Sequence, residues 1–215
     1  MKLTVNTFVT LDGVMQGPGA PDEDPSGGFD RGGWLVPLED EDMGRIIDTW
    51  YAEADELLLG RATFEMMRAY WPQVTDPDNP IAAALNARPK HVVSTTLREP
   101  GWAHTSVISA DVVAAVAALK ERPGRELQVH GSWQLVRTLH DAGLVDRYRL
   151  LVFPVVVGHG KRLFAEGAAP SGFQVVAGEV TGGGLVHLVL APGGMSTGEF
   201  VVEDGREVAR VSEPT

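Results

Sequence analysis

The hydrophobic positions of this chain switch between two spacings. Val, Thr and Phe crowd residues 2–10, which read as a buried strand. Shorter apolar runs at 56–59, 90–94, 105–109 and 126–129, and a long one at 147–157, read the same way. Between them the spacing turns helical. Met43, Ile46, Ile47 and Trp50 mark a helix over 39–53, and further helices are predicted over 62–70, 80–86, 111–121 and 132–142. Segments 173–181 and 185–191 alternate around Gly182, Gly183 and Gly184 and predict a hairpin. Strands separated by helices of about ten residues imply βαβ units, hence an α/β fold with helices over a mostly parallel sheet. The final hairpin adds an antiparallel edge.

Two stretches interrupt the pattern. Residues 16–33 are rich in Gly and Pro and predict a long loop, and loops of this length inside a compact domain are usually functional or disordered. Residues 192–198 read as a linker, 199–211 as a small added hairpin turning at Glu203-Asp204-Gly205-Arg206, and 212–215 as a frayed end. The expected organisation is one domain over 1–191 with a short extension over 192–215.

Composition narrows the chemistry. The chain has 215 residues and a net charge of −11, and residues 12–56 hold 13 acidic against 2 basic side chains, so the whole excess sits there. A chain without a basic block is a poor match for nucleic acid. The absence of Cys removes thiolate metal sites and thiol catalysis. No His pair has a metal-ligand spacing, so no metal is expected. No apolar run is long enough to span a membrane and no leader is visible, so a cytoplasmic protein is expected.

Three strand ends carry suggestive residues, where open α/β sheets bind ligands. At the first, Gly60 permits a tight turn and Arg61 stands at a helix start, as a fork for phosphate or as an ordinary exposed Arg. At the second, Ser94, Thr95 and Thr96 can donate to phosphate or ribose oxygens, or merely shape a polar loop. At the third, Gly131 and Ser132 lead into Trp133 and Gln134, an anion cradle or a plain strand-to-helix turn. Gly158 to Lys161 could form a further anion nest or simply turn the chain. His130 reads better as a structural histidine than as a ligand. Trp34, outside any helix and beside glycines, is the aromatic expected to face a ligand.

These residues resemble a family. Phe8-Val9-Thr10-Leu11-Asp12-Gly13 is similar to the S-L-D-G signature of dihydrofolate-reductase-like proteins, and Gly60-Arg61-Ala62-Thr63-Phe64 to their G-R-x-T-aromatic motif. Ser94 and Gly131-Ser132 fall where that family has its post-strand Ser and its Gly pair. Pro154 to Phe164 matches P-x-x-x-G-x-G-x-x-L-F of the branch that includes the C-terminal reductase domain of the bifunctional riboflavin-biosynthesis protein. The resemblance implies a three-layer α/β/α fold, a homodimer and NADPH. It implies that Gly60, Arg61 and Thr63 hold phosphates, and that Ser94, Thr95 and Thr96 surround the adenosine 2′-phosphate. Gly131, Ser132, Trp133 and Gln134 would cradle the pyrophosphate. Asp12, Gly13, Trp34 and Phe64 would border the substrate, with Asp12 as a candidate proton donor. Glu39 in Trp34-Leu35-Val36-Pro37-Leu38-Glu39 mimics the family's pterin-binding carboxylate, although a helix-start charge is the better explanation of it. Asn6 stands where the riboflavin branch has a Lys. That substitution and the acidic stretch favour a pyrimidine- or pterin-like ring over the phosphorylated substrate of the uracil reductase. A nucleotide-binding member without turnover is the alternative.

Overall fold

The structure, a computed structural model, describes residues 1–213. Eight strands form one sheet in the order β4-β3-β2-β5-β1-β6-β8-β7. The strands are β1 (Lys2–Thr10), β2 (Ala54–Gly60), β3 (Lys90–Val93), β4 (Thr105–Ile108), β5 (Glu126–His130), β6 (Arg147–Phe153), β7 (Gly172–Val180) and β8 (Val186–Gly193). The first six run parallel, β8 runs antiparallel to β6, and β7 antiparallel to β8. The helices are α1 (Glu41–Glu53), α2 (Arg61–Tyr70), α3 (Pro80–Ala87), α4 (Val112–Lys120) and α5 (Trp133–Asp141).

The chain moves one way along the sheet from β1 to β4, then reverses through β5 to β6. Right-handed crossovers then require helices on opposite faces for the two directions. The core divides accordingly. Leu58 of β2 packs with Val116 of α4 and Leu135, Val136 and Leu139 of α5, while its neighbours Leu57 and Leu59 pack with α2 and α3. α1 lies over β1 and β6 on the second face, where Trp50 stacks on Phe8 at 6.0 Å. The result is the expected three-layer α/β/α arrangement.

Local chemistry sets the element ends. α1 begins two residues later than its periodicity predicts, because Asp40 caps it by accepting from the Met43 amide at 2.7 Å. β6 stops at Phe153 rather than 157, since Pro154 has no amide for the ladder. β8 runs on through Pro192 and Gly193, which pair with Phe173 and Gly172, so the linker is shorter than expected. Beyond it, β9 (Gly198–Glu203) and β10 (Arg206–Val211) form a separate two-stranded sheet. Asp204 and Gly205 both take positive φ at its turn, as a two-residue hairpin loop requires. Ser212 is tied to Thr197 at 2.8 Å rather than frayed, and residues 214–215 of the expected frayed end lie outside the described residues.

A polar network lies under α1. Glu126 and Arg149, both buried, meet at 2.8 and 3.0 Å. Arg147 adds a contact to Glu126 at 3.2 Å, and Arg149 also reaches Glu53. Gln128 donates to Glu126 and to the Trp50 carbonyl, both at 2.7 Å.

Lys90 is buried too. Its ammonium donates to the carbonyls of Leu85 and Arg88 at 2.7 and 2.8 Å and lies 4.7 Å from the Trp102 ring centre, capping the end of α3. Burial brings its pKa down from 10.5 to about 8. Between those values the unfolded chain holds a proton that the folded chain has released. Stability is therefore lower below pH 8 and rises as pH climbs toward 10.5, by up to ~3 kcal/mol. Urea denaturation at pH 7.5 and pH 10 measures this rise, and Lys90→Met removes it.

Candidate functional site

The sheet reversal creates a crevice. β2 leaves toward α2 on one face, and its neighbour β5 leaves toward α5 on the other, so their carboxyl ends flank a topological switch point. One hydroxyl bridges the gap: Ser132 Oγ accepts from the Gly60 amide at 2.9 Å and donates to the His130 carbonyl at 3.0 Å. In return the Ser132 amide donates to Thr63 Oγ1 at 3.2 Å. Gly131 and Ser132 both hold positive φ, +55° and +63°. A Cβ on Gly60 would come within 3.3 Å of the Ser132 Cβ, so the close approach of the two turns depends on glycine.

The helix starts at this crevice differ from the others. α1, α3 and α4 each receive a side-chain cap, from Asp40, Asn79 and Asp111. α2 and α5 receive none. Their first-turn amides therefore face the crevice with the positive end of the helix dipole behind them. The hydroxyl residues lie next along the edge, at the end of β3. Ser94 Oγ accepts from the Leu97 and Thr96 amides at 3.0 and 3.3 Å and folds that loop, leaving Thr95 and Thr96 exposed. The Arg61 guanidinium reaches Thr96 Oγ1 and also pairs with Glu65 at 2.9 Å. From β3 across β2 to β5 the row covers two strand spacings, roughly 10 Å. All the predicted cofactor residues, Gly60, Arg61, Thr63, Ser94, Thr95, Thr96, Gly131, Ser132, Trp133 and Gln134, lie along this row. The donor set of free amides, hydroxyls and one guanidinium fits a phosphorylated dinucleotide.

The predicted substrate residues divide. Asp12 and Gly13 line a cavity of about 420 Å³ over the carboxyl-terminal ends of β1 and β6 on the α5 side of the sheet, with Val9, Leu150, Val152, Leu163 and Phe164 as apolar walls. Trp34 does not line it. Its indole donates to the Gln16 carbonyl at 2.9 Å and its ring packs edge-on against Phe153, so it anchors the long loop to the core. Phe64 is wholly buried against Trp102 and points away from the crevice. Glu39 is exposed just before α1, beside the Asp40 and Asp42 carboxylates that accept from the Gly183 and Gly182 amides of the β7–β8 turn.

Asp12 is an anchor in this geometry. Its carboxylate accepts from Thr10 Oγ1 at 2.6 Å, from the Gly158 amide at 2.9 Å and from the Val157 amide at 3.3 Å. Burial raises its pKa, but these hydrogen bonds outweigh burial and hold it below the usual carboxylate range. An ionised carboxylate with this many donors is a poor proton source at neutral pH. It also occupies the Gly158 amide, one of the groups that could have formed an anion nest there. Lys161 is used internally as well, pairing with Asp24 at 2.6 Å and Ser26 Oγ at 2.7 Å, while Gln16 Nε2 donates to the carbonyls of Asp24 and Ser26. These ties close the long loop onto the body.

Sequence reading passed over Arg162. Its guanidinium stands at the cavity, donating to the Asp12 carbonyl at 2.9 Å and to the Gly158 carbonyl at 3.2 Å. The indole of Trp133 donates to the Arg162 carbonyl at 2.8 Å, which links α5 to the cavity wall. The only signal for it was its place just after two glycines. His130 is structural as expected: it stacks on Tyr51 at 4.6 Å and bonds Gln128, and burial, aided by Arg149, brings its pKa down to about 3, so it stays neutral. Asn6 is also buried, donating to Gln128 at 2.9 Å.

The acidic stretch does not form a wall beside the site. Glu53, Asp55 and Glu56 lie at the opposite edge, paired with Arg149, Arg125 and Arg122. Asp24, Asp40 and Asp42 are engaged with Lys161 and the turn amides. The charge argument against a phosphorylated substrate therefore falls away.

A twisted α/β sheet with an anion-suited crevice at its switch point is an arrangement shared by many nucleotide-binding α/β proteins. Residues 1–186 match the model of the RibD C-terminal domain, and the chain belongs to that family. Among its relatives is YyaP of Bacillus subtilis (strain 168), an uncharacterized protein, 29% identical over 190 residues that span 87% of this chain and 93% of YyaP. YwjB of the same organism, also uncharacterized, is 27% identical over 62% of this chain and 71% of its own. A Shewanella sp. PV-4 structure described as a riboflavin biosynthesis protein superposes with a TM-score of 0.67 at 22% identity, covering 90% of this chain and 99% of that one. The Thermotoga maritima diaminohydroxyphosphoribosylaminopyrimidine deaminase/5-amino-6-(5-phosphoribosylamino)uracil reductase gives 0.58 at 16% identity, over 89% of this chain and 56% of its own. The structural likenesses establish the fold. No helix among the described residues is long and apolar enough to cross a membrane.

Proposed function

We propose that this protein is an NADPH-dependent reductase acting on a planar nitrogen heterocycle of pyrimidine or pterin type, working in the cytoplasm as a homodimer. The observation that carries the reading is the pair of uncapped helix starts, α2 and α5, facing one crevice at the switch point. When bound, NADPH supplies a hydride from its nicotinamide ring. The first-turn amides of α2 and α5 hold its phosphates, and Arg61 with Thr95 and Thr96 serves the 2′-phosphate end. Gly131 lets the pyrophosphate approach the backbone closely. The apolar cavity beside Asp12 and Gly13 receives the ring, and Arg162 at its mouth orients a carbonyl or acidic oxygen. Because Asp12 is held ionised, the proton comes from water.

The uracil reductase of riboflavin biosynthesis is the narrower reading. Asn6 counts against it, since a buried amide engaged with Gln128 offers a sugar phosphate no cation.

Titration with NADPH tests the proposal through quenching of the crevice residue Trp133 and through the melting temperature. At a hundred times Kd the cofactor adds ~2.7 kcal/mol, a rise of roughly 5–10 °C for a chain of this size. No response at millimolar NADPH overturns the proposal. Binding without oxidation of NADPH by any pyrimidine or pterin leaves a nucleotide-binding protein without turnover.

A further inference from the structure

The C-terminal hairpin β9–β10 lies beyond the residues matched by the family and has two unlike faces. Directly opposed residues of an antiparallel pair share a face. Gly198 with Val211, Phe200 with Ala209, and Val202 with Glu207 therefore make one face, apolar except at its turn end. On the other, Glu199 with Arg210 and Glu203 with Arg206 flank the pair Val201 and Val208, and Arg210 reaches across to Glu203 at 2.6 Å. The apolar face is open: Phe200, Val202 and Val211 are 73%, 78% and 73% exposed. A lone two-stranded hairpin is marginal in water, so a face of this kind needs a cover.

The same chain leaves a second apolar surface open. β7 pairs Val175 with Leu190 and Val180 with Val186, which puts all four on the α5 side of the sheet. Val175 and Val180 are 62% and 70% exposed, so α5 does not reach this end of the sheet. The surface continues past Val152 to the cavity beside Asp12.

We infer that the hairpin is an arm whose Phe200 face docks on the α5-side surface of β7–β8 in a second copy of this chain. Each copy carries both halves of the contact, so a two-fold pair buries both surfaces twice. The five most exposed side chains amount to roughly 400 Å² of apolar surface per copy. A standard interface buries about 800 Å² per partner, a little over half of it apolar, so the two open surfaces supply what a stable dimer needs. A two-fold axis running across the strands also reverses their direction. It brings the arm, which leaves at the amino-terminal edge of one sheet, to the carboxyl edge of the other, where the cavity opens.

The inference rests on the homodimer reading, and the test separates the two. Sedimentation velocity over a dilution series is run on the full chain and on the variant Phe200→Glu/Val202→Glu, with NADPH titration and a melting curve for each. The expected result is a wild-type dimer and a variant whose dissociation constant rises at least 100-fold, with NADPH affinity unchanged. A wild-type dimer that the double variant leaves intact overturns the arm and keeps the homodimer. A wild-type monomer at every concentration overturns both, the arm then folding over its own sheet or standing free. A wild-type dimer whose variant has lost both its pairing and its melting transition is settled by Val175→Glu/Val180→Glu, which must weaken the dimer equally if the docking surface is right.

Discussion

Arg149→Leu lowers the stability of the folded chain by about 3–5 kcal/mol, the usual result of removing one partner from a buried ion pair. For a chain of this length that is a fall in melting temperature of roughly 10 °C. The cause is the Glu126 carboxylate, which is buried and loses the two hydrogen bonds that Arg149 provides, keeping only Arg147 and Gln128. The rest of the core is untouched, so the loss belongs to desolvation rather than to packing. Removing both charges tests this directly. Glu126→Leu with Arg149→Leu leaves no fully buried lone charge, since the partners that remain, Arg147 and Glu53, are partly exposed, and it recovers much of the stability, as replaced buried pairs often do. A double variant as unstable as the single one would place the cost in packing instead. Thermal and urea denaturation of the three proteins measure it.

Gln134→Glu weakens NADPH binding by about tenfold while leaving the fold as stable or slightly more so. Gln134 is exposed in the first turn of α5, where a carboxylate interacts favourably with the helix dipole, by 0.3–1 kcal/mol. That added charge competes with the phosphate that the same amides hold, and tenfold corresponds to ~1.4 kcal/mol. Opposite signs on stability and affinity distinguish an anion site from general damage. Arg61→Glu acts at the neighbouring helix start and removes the guanidinium as well, so the two together cost 100-fold or more. Isothermal titration with NADPH reads the affinity, and unfolding curves read the stability. If Gln134→Glu stabilises the protein and leaves NADPH affinity unchanged, α5 does not hold the phosphates.

The fold was readable because its signals are local and repeated. The helices announced themselves by period and most of the strands by short apolar runs between them, and the alternation of the two identified the class. The misplacements came from single residues acting across a boundary, such as Asp40 as a cap and Pro154 as a missing donor. The crevice was readable too, since Gly60, Gly131 and Ser132 sit at strand ends where glycine and hydroxyl residues have few other reasons to stand. What stayed hidden was pairing over long separations. Nothing local shows that Asp12 accepts from amides 145 and 146 residues away, or that Lys161 is taken up by Asp24. A run of carboxylates looks like a field in the sequence, and in three dimensions it is a set of separate caps and bridges. Trp34 misled for a related reason, because an aromatic beside glycine has the same appearance whether it meets a ligand or a neighbouring loop, and Phe64 came from the motif it shares with the family, which carries no information on where its ring packs.

The Ser132 bridge makes the crevice a gauge. One hydroxyl and one amide, matched by Thr63 and Gly60, fix how far apart the two helix mouths stand, so the frame has no cheap way to widen or narrow. On the proposed cofactor reading, a ligand with two anionic groups at the right separation would be received without rearrangement, and one with a shorter or longer bridge between its charges would satisfy only one mouth. Selectivity among nucleotides would then be set by the length between phosphates more than by the base attached to them.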